Sequence, residues 1–164
     1  MVRTLRAGPG GDLLREDRSR PTTGGNVAKK RLKAAYLANL VSQVVRERDD
    51  WTCQKCHRSF RHDPGALDAS HHIPRTKGIV KYDLANLVAL CRACHGWLDT
   101  HPLHHIDWIK GLLGEDEYEA LKARSVGLLK MTAQDTRDLA EYMRDTLRIL
   151  KARRADGQLG RLDI

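Results

Sequence analysis

The amino-acid sequence predicts an α+β protein in which a small core, clamped by a structural zinc ion, is surrounded by α-helices. Two C-x-x-C pairs, at 53–56 and 91–94, could bind one tetrahedral metal with four thiolates. Short segments bounded by turn-forming residues, at 66–73 and 87–90, are typical of strands. The stretches on both sides of this region carry apolar residues every three or four positions, which is typical of amphipathic helices.

The helices are predicted from this periodicity. Residues 29 to about 48 repeat an apolar side chain at every fourth position, which indicates a helix with one packing face. Shorter helices are expected at 92–100, 104–113 and 115–124, and Gly114 separates the last two. The two strands and the helix at 92–100 therefore follow one another within the region that the cysteine pairs enclose.

A long helix is predicted at 132–153. It begins with Thr132-x-x-Asp135, a variant of the capping box in which aspartate replaces the usual glutamate or glutamine. Its narrow apolar stripe suits two arrangements equally, packing within the chain or the seam of a homodimer. The stripe consists of Leu139, Met143, Leu147 and Leu150.

The chain carries an excess of positive charge, with 29 Lys and Arg residues against 21 Asp and Glu residues and a net charge of +8. Such a balance favours a polyanionic partner such as nucleic acid, although an ordinary basic protein has the same property. Residues 1–33 hold nine of the cations and three of the acids, so most of the excess lies in this segment. We therefore predict a basic arm.

The sequence also limits the compartment. No apolar run approaches the length of a membrane span, and the first twenty residues lack the apolar segment of a secretory signal. All four cysteines belong to C-x-x-C pairs, which in a reducing compartment favours metal binding over disulfides. We therefore expect a cytoplasmic protein that does not contact a membrane.

The four cysteines, Cys53, Cys56, Cys91 and Cys94, are predicted to hold a structural zinc ion. Each C-x-x-C pair brings two sulfur atoms onto one tight turn, and two such turns close a tetrahedral site. A redox dithiol fits poorly, because two complete pairs would coexist without a thioredoxin-like pattern. The zinc ion would join the two ends of the segment 57–90.

Three motifs in and around this segment carry a resemblance. They are CQKC, HHIPR and NLVALCRACH, in that order. The chain resembles the HNH endonuclease superfamily, whose signature is C-x-x-C, then (D/H)-H-I-x-P, then N-L-x-x-L-C-x-x-C-H. The proline of HHIPR comes one residue early. The resemblance covers about residues 51–99, and residues 105–124 are more loosely similar to the helical tail of some phage HNH and phage recombination proteins.

The resemblance implies a ββα-metal fold, in which a hairpin and a helix hold one catalytic metal. By position in the motif, His72 matches the general base, His71 and His95 match metal ligands, and Asn86 matches the residue that supports the loop. Asp99 lies one helical turn after His95 and could be a third ligand, although a solvated carboxylate is the alternative.

The chemistry of these residue types agrees with the resemblance. A neutral imidazole can accept a proton from water at neutral pH, and a divalent cation can polarise a phosphate. Because neighbouring side chains of a strand point to opposite faces, we expect His72 to face the water and His71 to face the metal. Mg²⁺ or Mn²⁺ is the expected catalytic metal, while Zn²⁺ and Ni²⁺ are compatible with mixed nitrogen and oxygen ligands.

Cations near these motifs are predicted to contact DNA phosphates. Arg75 and Lys77 follow the double histidine and could bind phosphate or be solvated. A further cluster, Lys29, Lys30 and Arg31, directly follows the basic arm.

The chain is predicted to have three regions. Residues 1–28 form the basic arm, which we expect to be disordered. Residues 29–124 form the HNH nuclease domain with its flanking helices. Residues 125–164 form a helical extension with a frayed tail at 155–164.

The sequence thus predicts a metal-dependent HNH endonuclease that hydrolyses DNA phosphodiester bonds. The alternatives are a non-catalytic, zinc-stabilised module that binds nucleic acid, and a structure-specific or RNA nuclease of phage recombination. The enzyme is favoured because His71, His72, Asn86 and His95 are all present, whereas a binding module would need only the cysteines and the cations. A bacterial or phage-encoded protein is expected, with DNA, a second copy through 132–153, and phage packaging or recombination proteins as partners.

Overall fold

The structure is a computed structural model, and it describes residues 34–127 and 130–164. Within them, five α-helices and a two-stranded antiparallel sheet confirm the predicted α+β class. The predicted arm at 1–28 and its neighbours Lys29, Lys30 and Arg31 lie outside the described residues. The elements are α1 Ala34–Arg48, β1 Leu67–His71, β2 Leu87–Cys91, α2 Arg92–Thr100, α3 Pro102–Leu113, α4 Glu115–Ser125 and α5 Ala133–Ala155.

The helices begin where local signals place them. α3 begins two residues earlier than predicted, at Pro102, because proline has the backbone angle of a first helical turn and needs no donor there. α5 has both hydrogen bonds of the capping box: the Asp135 N–H donates to the Thr132 hydroxyl at 3.1 Å, and the Thr132 N–H donates to the Asp135 carboxylate at 2.8 Å.

The sheet joins the two motifs of the segment between the cysteine pairs. Its register places Leu67 opposite Cys91 at one end and His71 opposite Leu87 at the other. All five residues of β2 are buried, and α2 follows β2 without a loop. The hairpin and the following helix therefore form a ββα unit in which one end of the sheet carries a cysteine and the other a histidine.

A single core lies between the sheet, α1, α2 and α5. The apolar stripe of α5 packs within the chain, because Met143, Leu147 and Leu150 are buried in the same cluster as Leu37 and Val44 of α1. Burying a leucine side chain contributes about 1.5–3 kcal/mol. A homodimer through this stripe would have to replace that packing.

The C-terminal end of α1 carries a buried ion pair. Arg48 is 3% exposed and Asp49 is fully buried. The Arg48 guanidinium donates to both Asp49 carboxylate oxygens, at 2.8 and 3.0 Å, and to the carbonyl oxygens of Leu84 and Leu87, at 2.8 and 2.7 Å. The Asp49 carboxylate also accepts from the Ala89 N–H at 2.7 Å. The pair thus fastens α1 to β2 and to the turn before it.

The last ten residues differ from the predicted frayed tail. They contain no helix beyond Ala155, yet Leu162 is only 6% exposed and its N–H donates to the Arg48 carbonyl at 2.9 Å. The Arg161 guanidinium lies 3.2 Å from the Asp49 carboxylate. A helix end leaves its last carbonyl groups without partners, and the tail supplies donors to the end of α1.

No helix among the described residues combines the length and the apolar character required of a membrane-spanning segment.

Replacing Asp49 by alanine is expected to lower the free energy of unfolding by about 3–5 kcal/mol, because the buried Arg48 guanidinium loses its charge partner. The matched control is Asp145→Ala, which removes a carboxylate from an exposed ion pair with Arg148 and should cost less than about 1 kcal/mol. Urea unfolding followed by circular dichroism measures both. Equal costs for the two variants would contradict the role of the buried pair.

Candidate active site and metal centre

The four cysteines form the first cluster. Their sulfur atoms all lie within 4.8 Å of one another, and no other group of three or more His, Cys, Asp or Glu ligand atoms in residues 34–127 and 130–164 is as close. The Cys53 N–H donates to the Arg58 carbonyl and the His57 N–H donates to the Cys53 carbonyl, so the first pair lies on a tight turn. The four residues are therefore placed to bind a metal.

The surroundings of the cysteines favour thiolates at two of the four positions. Burial opposes deprotonation of Cys56, but a backbone N–H and the Arg58 guanidinium stabilise its thiolate and lower its pKa to about 6. The pKa of Cys91 is lowered in a similar way, against the effect of burial, with Arg58 again among the donors. Burial raises the pKa of Cys53 and of Cys94, so a bound metal would have to displace their protons.

His71 ends strand β1 and lines a cavity of about 770 Å³. Its Nε2 atom lies 2.9 Å from the Lys81 carbonyl oxygen. A carbonyl only accepts hydrogen bonds, so Nε2 carries the proton and Nδ1 carries the lone pair. Burial lowers the pKa of His71 below its ordinary value of 6.5, although the hydrogen bond to Lys81 opposes the change. The imidazole is therefore a neutral base at pH 7.

His72 borders the same cavity, but its ring is closed off from water. The residue is 9% exposed, and both ring nitrogens are buried without a hydrogen-bond partner. Its ring packs edge-on against His105 and Trp108, each with a centroid distance of 5.8 Å. Burial lowers the pKa of His72 to about 3. A general base must reach water, so this environment argues against the role predicted for His72.

His95 lies in the first turn of α2 between two carboxylates. Its Nδ1 atom is 3.4 Å from the Asp68 carboxylate, and its Nε2 atom is 3.7 Å from the Asp99 carboxylate. A metal-binding histidine commonly uses one ring nitrogen for the metal and donates the other N–H to a carboxylate. Asp68 takes the second position in this geometry. Nε2 and the exposed Asp99 carboxylate are then the two groups that could bind a metal, and both residues line the cavity.

This donor pair fits a hard divalent cation. One imidazole and one carboxylate leave most coordination positions to water and to phosphate oxygens, as Mg²⁺ prefers. His71, predicted as a ligand, also lines the cavity, but it does not form a set of three close donors with His95 and Asp99. Its Nδ1 atom could serve a metal or a proton.

Asp68 was not predicted. It is the one acidic residue of strand β1, on the same face as Ser70 and His72. An acidic residue in so short a strand was the only sequence feature that could have indicated its role. Its partner His95 lies 27 residues further along the chain, so no local pattern connects the two.

Asn86 is fully buried and its side chain holds the loop after the histidines. Its amide oxygen accepts from the Ile73 N–H at 2.7 Å, and its amide nitrogen donates to the carbonyl oxygens of Ile73 and Val80, both at 3.0 Å. The His72 N–H also donates to the Asn86 carbonyl. Asn86 thus closes the loop that ends just before Lys81, the residue whose carbonyl accepts from His71.

The predicted DNA-binding cations have different positions. Arg75 lines the cavity, whereas the exposed Lys77 lies outside its lining. Lys29, Lys30 and Arg31 are outside the described residues.

Comparison with known proteins agrees with the resemblance. The family model described as HNH endonuclease matches residues 53–101, which include both cysteine pairs, the double histidine and His95. No curated protein and no solved structure matches the chain. The family match confirms an HNH-type segment at 53–101, with four cysteines positioned to bind a metal.

The burial of His72 predicts a measurable acid sensitivity. The pKa of His72 is about 3 in the folded state and about 6.5 in an unfolded chain, so between these values only the unfolded state binds the proton. The contribution of His72 to stability is therefore complete above pH 6.5 and is lost as the pH falls. Between pH 6.5 and 5 the loss amounts to about 2 kcal/mol.

The variant His72→Phe should lose less stability on acidification than the parent protein, by about the same 2 kcal/mol. Phenylalanine can keep the contact with Trp108 without a group that titrates. Urea unfolding at pH 7 and pH 5 gives the difference, and His62→Phe, at an exposed histidine, is the matched control. An equal decrease in the free energy of unfolding between pH 7 and pH 5 in the parent protein and in His72→Phe would contradict the burial of a neutral His72.

Proposed function

We propose that the HNH-type segment is the catalytic centre of a metal-dependent endonuclease that hydrolyses phosphodiester bonds in DNA. The observation that carries the proposal is the position of His71. His71 lines the same cavity as His95 and Asp99, and its ring is held through Nε2, which leaves Nδ1 as the basic nitrogen. A base and a pair of metal donors in one cavity are the groups that phosphodiester hydrolysis requires.

His71, rather than His72, is the proposed general base. Its Nδ1 atom takes a proton from the attacking water, while Nε2–H stays bonded to the Lys81 carbonyl and fixes the ring. Because burial holds the pKa of His71 below 6.5, the neutral form predominates at pH 7 and the acidic limb of activity should lie below pH 6.5. His72 then has a packing role against Trp108.

The catalytic metal is proposed to bind His95 and Asp99, with Asp68 holding the imidazole of His95 in place. A divalent cation at this position would neutralise charge on the phosphate and on the leaving oxygen. The donors favour Mg²⁺ or Mn²⁺, and they are compatible with Ni²⁺ or Zn²⁺. Asn86 supports this arrangement indirectly, through the loop that leads to Lys81.

The four-cysteine centre is proposed to hold zinc with a structural role. Four thiolates leave no open position for a substrate, which is typical of structural zinc. Cys53 and Cys56 precede β1, while Cys91 and Cys94 lie at the junction of β2 and α2. The ion would therefore fasten the start of the ββα unit to its end.

DNA is the proposed substrate, and Arg75, Lys77, Lys29, Lys30 and Arg31 are proposed to contact its backbone. The net charge of +8 supports a polyanionic partner. We further propose action in the cytoplasm. A single site of this kind cuts one strand, so a double-strand break would require a second copy or a second encounter. Cleavage of RNA would use the same groups. Only an activity assay with both substrates distinguishes a DNA nuclease from an RNA nuclease.

The first experiment measures nicking of supercoiled plasmid with Mg²⁺ or Mn²⁺, with EDTA as the control. His71→Ala should lower the rate by at least about 100-fold, because the base is removed. His72→Phe should keep the rate within about threefold, because its ring nitrogens do not reach water. Titration calorimetry with Mn²⁺ should find binding retained in His71→Ala and weakened in His95→Ala, since His71 is the base and His95 the ligand.

Two results would change the assignment. Loss of Mn²⁺ binding in His71→Ala would make His71 a ligand, as the motif implied. Wild-type protein that binds DNA but cuts neither DNA nor RNA with any of these metals would support the alternative of a non-catalytic, zinc-stabilised binding module.

Removal of the structural metal should unfold the protein. Atomic absorption is expected to find one tightly bound zinc per chain, and stripping it should lower the melting temperature by more than about 10 °C, because binding contributes directly to folding. Cys91→Ala should bind no zinc and melt similarly early, whereas His95→Ala should keep both the zinc and the melting temperature. Unchanged melting after complete removal of zinc would contradict a structural role.

A further inference from the structure

Arg46 is a cation of the cavity wall that neither the motif nor the family match assigns. It lies in the last turn of α1, and it lines the cavity together with His71, His95 and Asp99. Its Nε atom donates to the Leu67 carbonyl oxygen of β1 at 2.8 Å. The side chain is thereby anchored to the strand that carries His71.

The remaining nitrogens of Arg46 have no protein partner among the described residues. Its one side-chain hydrogen bond in residues 34–127 and 130–164 is made by Nε, and no carboxylate there forms an ion pair with it. Arg46 is half-buried, and neither Nη1 nor Nη2 is a fully buried atom without a partner. Arg48, two residues later, differs completely, because Nε, Nη1 and Nη2 all donate to protein oxygens.

The charges that face this part of the cavity leave a place for an anion. Of the two carboxylates in the lining, Asp68 lies beside His95 Nδ1 and Asp99 lies near Nε2. Of the other two cations, Lys81 lies over the ring of Tyr82 with its Nζ atom 5.0 Å from the ring centre, and Arg75 is exposed in the loop. Arg46 is the cation whose guanidinium is fixed by a backbone hydrogen bond.

We propose that Arg46 binds a phosphate of the nucleic-acid backbone inside the cavity, with Nη1 and Nη2 donating to the non-bridging oxygens. Anchoring through Nε fixes the plane of the guanidinium before the substrate arrives, so little conformational freedom remains to be given up on binding. A planar fork with two parallel donors matches the two non-bridging oxygens of a phosphodiester. This inference rests on the proposed function, since it takes the cavity to be the substrate site.

Neighbouring side chains on α1 leave room for such a backbone. Ala38 and Ser42 precede Arg46 at intervals of four residues, and all three line the cavity. Residues at this spacing share one face of a helix. On this face of α1, two small side chains therefore precede the anchored Arg46, whose Nη1 and Nη2 atoms are the hydrogen-bond donors.

The test measures binding of a short DNA duplex in buffer without a chelator and without added Mg²⁺ or Mn²⁺, by fluorescence anisotropy between about 50 and 200 mM salt. The slope of log affinity against log salt reports the number of phosphates that the protein neutralises, at about 0.9 for each phosphate. Arg46→Gln should lower the magnitude of the slope by this amount. Arg144→Gln, at an exposed arginine outside the cavity lining, is the matched control and should leave the slope unchanged.

Two further variants are needed. One distinguishes the charge of Arg46 from the planar geometry of its guanidinium, and the other controls for a folding defect in Arg46→Gln. Arg46→Lys keeps the charge, so its salt slope should equal that of the parent, but its kcat for nicking should fall about 10-fold or more because lysine has no planar fork. Ser42→Asp leaves Arg46 in place and offers it a carboxylate one turn away, so it should lower the slope as Arg46→Gln does. Ser42→Asp therefore decides the case if Arg46→Gln fails to fold.

The proposal is overturned if a folded Arg46→Gln and Ser42→Asp both keep the parental slope, or if Arg46→Lys keeps the parental kcat. Binding without added Mg²⁺ or Mn²⁺ requires no catalysis, so a lowered slope stands even where the wild-type protein does not cut. In that case Arg46 still binds phosphate and the nuclease assignment fails alone.

Discussion

The buried ion pair between Arg48 and Asp49 is the interaction on which the geometry of the β1–β2 hairpin depends. Two charges away from water cost several kcal/mol each unless every polar atom finds a partner. The pair meets this condition by bonding to β2 and its approach: Arg48 donates to the carbonyls on both sides of Asn86, and Asp49 accepts from the Ala89 N–H. The end of α1 thereby fixes where Asn86 lies.

The position of Asn86 in turn determines the orientation of His71. The Asn86 side chain bonds to both ends of the loop between Ile73 and Val80, and the Lys81 carbonyl that follows accepts from His71 Nε2. Each step is a hydrogen bond of a buried or partly buried group, so a shift at one step would leave a polar atom unpaired at the next. This succession orients the His71 ring and leaves Nδ1 as the basic nitrogen.

Local signals allowed much of the fold to be predicted. The cysteine cluster, the two strands, α2 and the capping box of α5 follow from spacings of a few residues. The orientation of the double histidine did not follow, because alternation separates His71 from His72 without saying which face is open. That choice depends on α3, whose Trp108 covers His72 from a distant part of the sequence. Asp68 and the docked tail likewise depend on long-range partners.

The sheet itself explains why such interactions are needed. Two strands of five residues are marginal in water, and the chain has a single phenylalanine to enlarge its core. The register places Cys91 at one end of the sheet and Leu87, bonded to Arg48, at the other. A metal held by the cysteines would therefore fasten one end of the hairpin, and the ion pair of α1 fastens the other. The geometry of the cavity then depends on two interactions that lie outside it, which leaves the residues lining the cavity free to be polar.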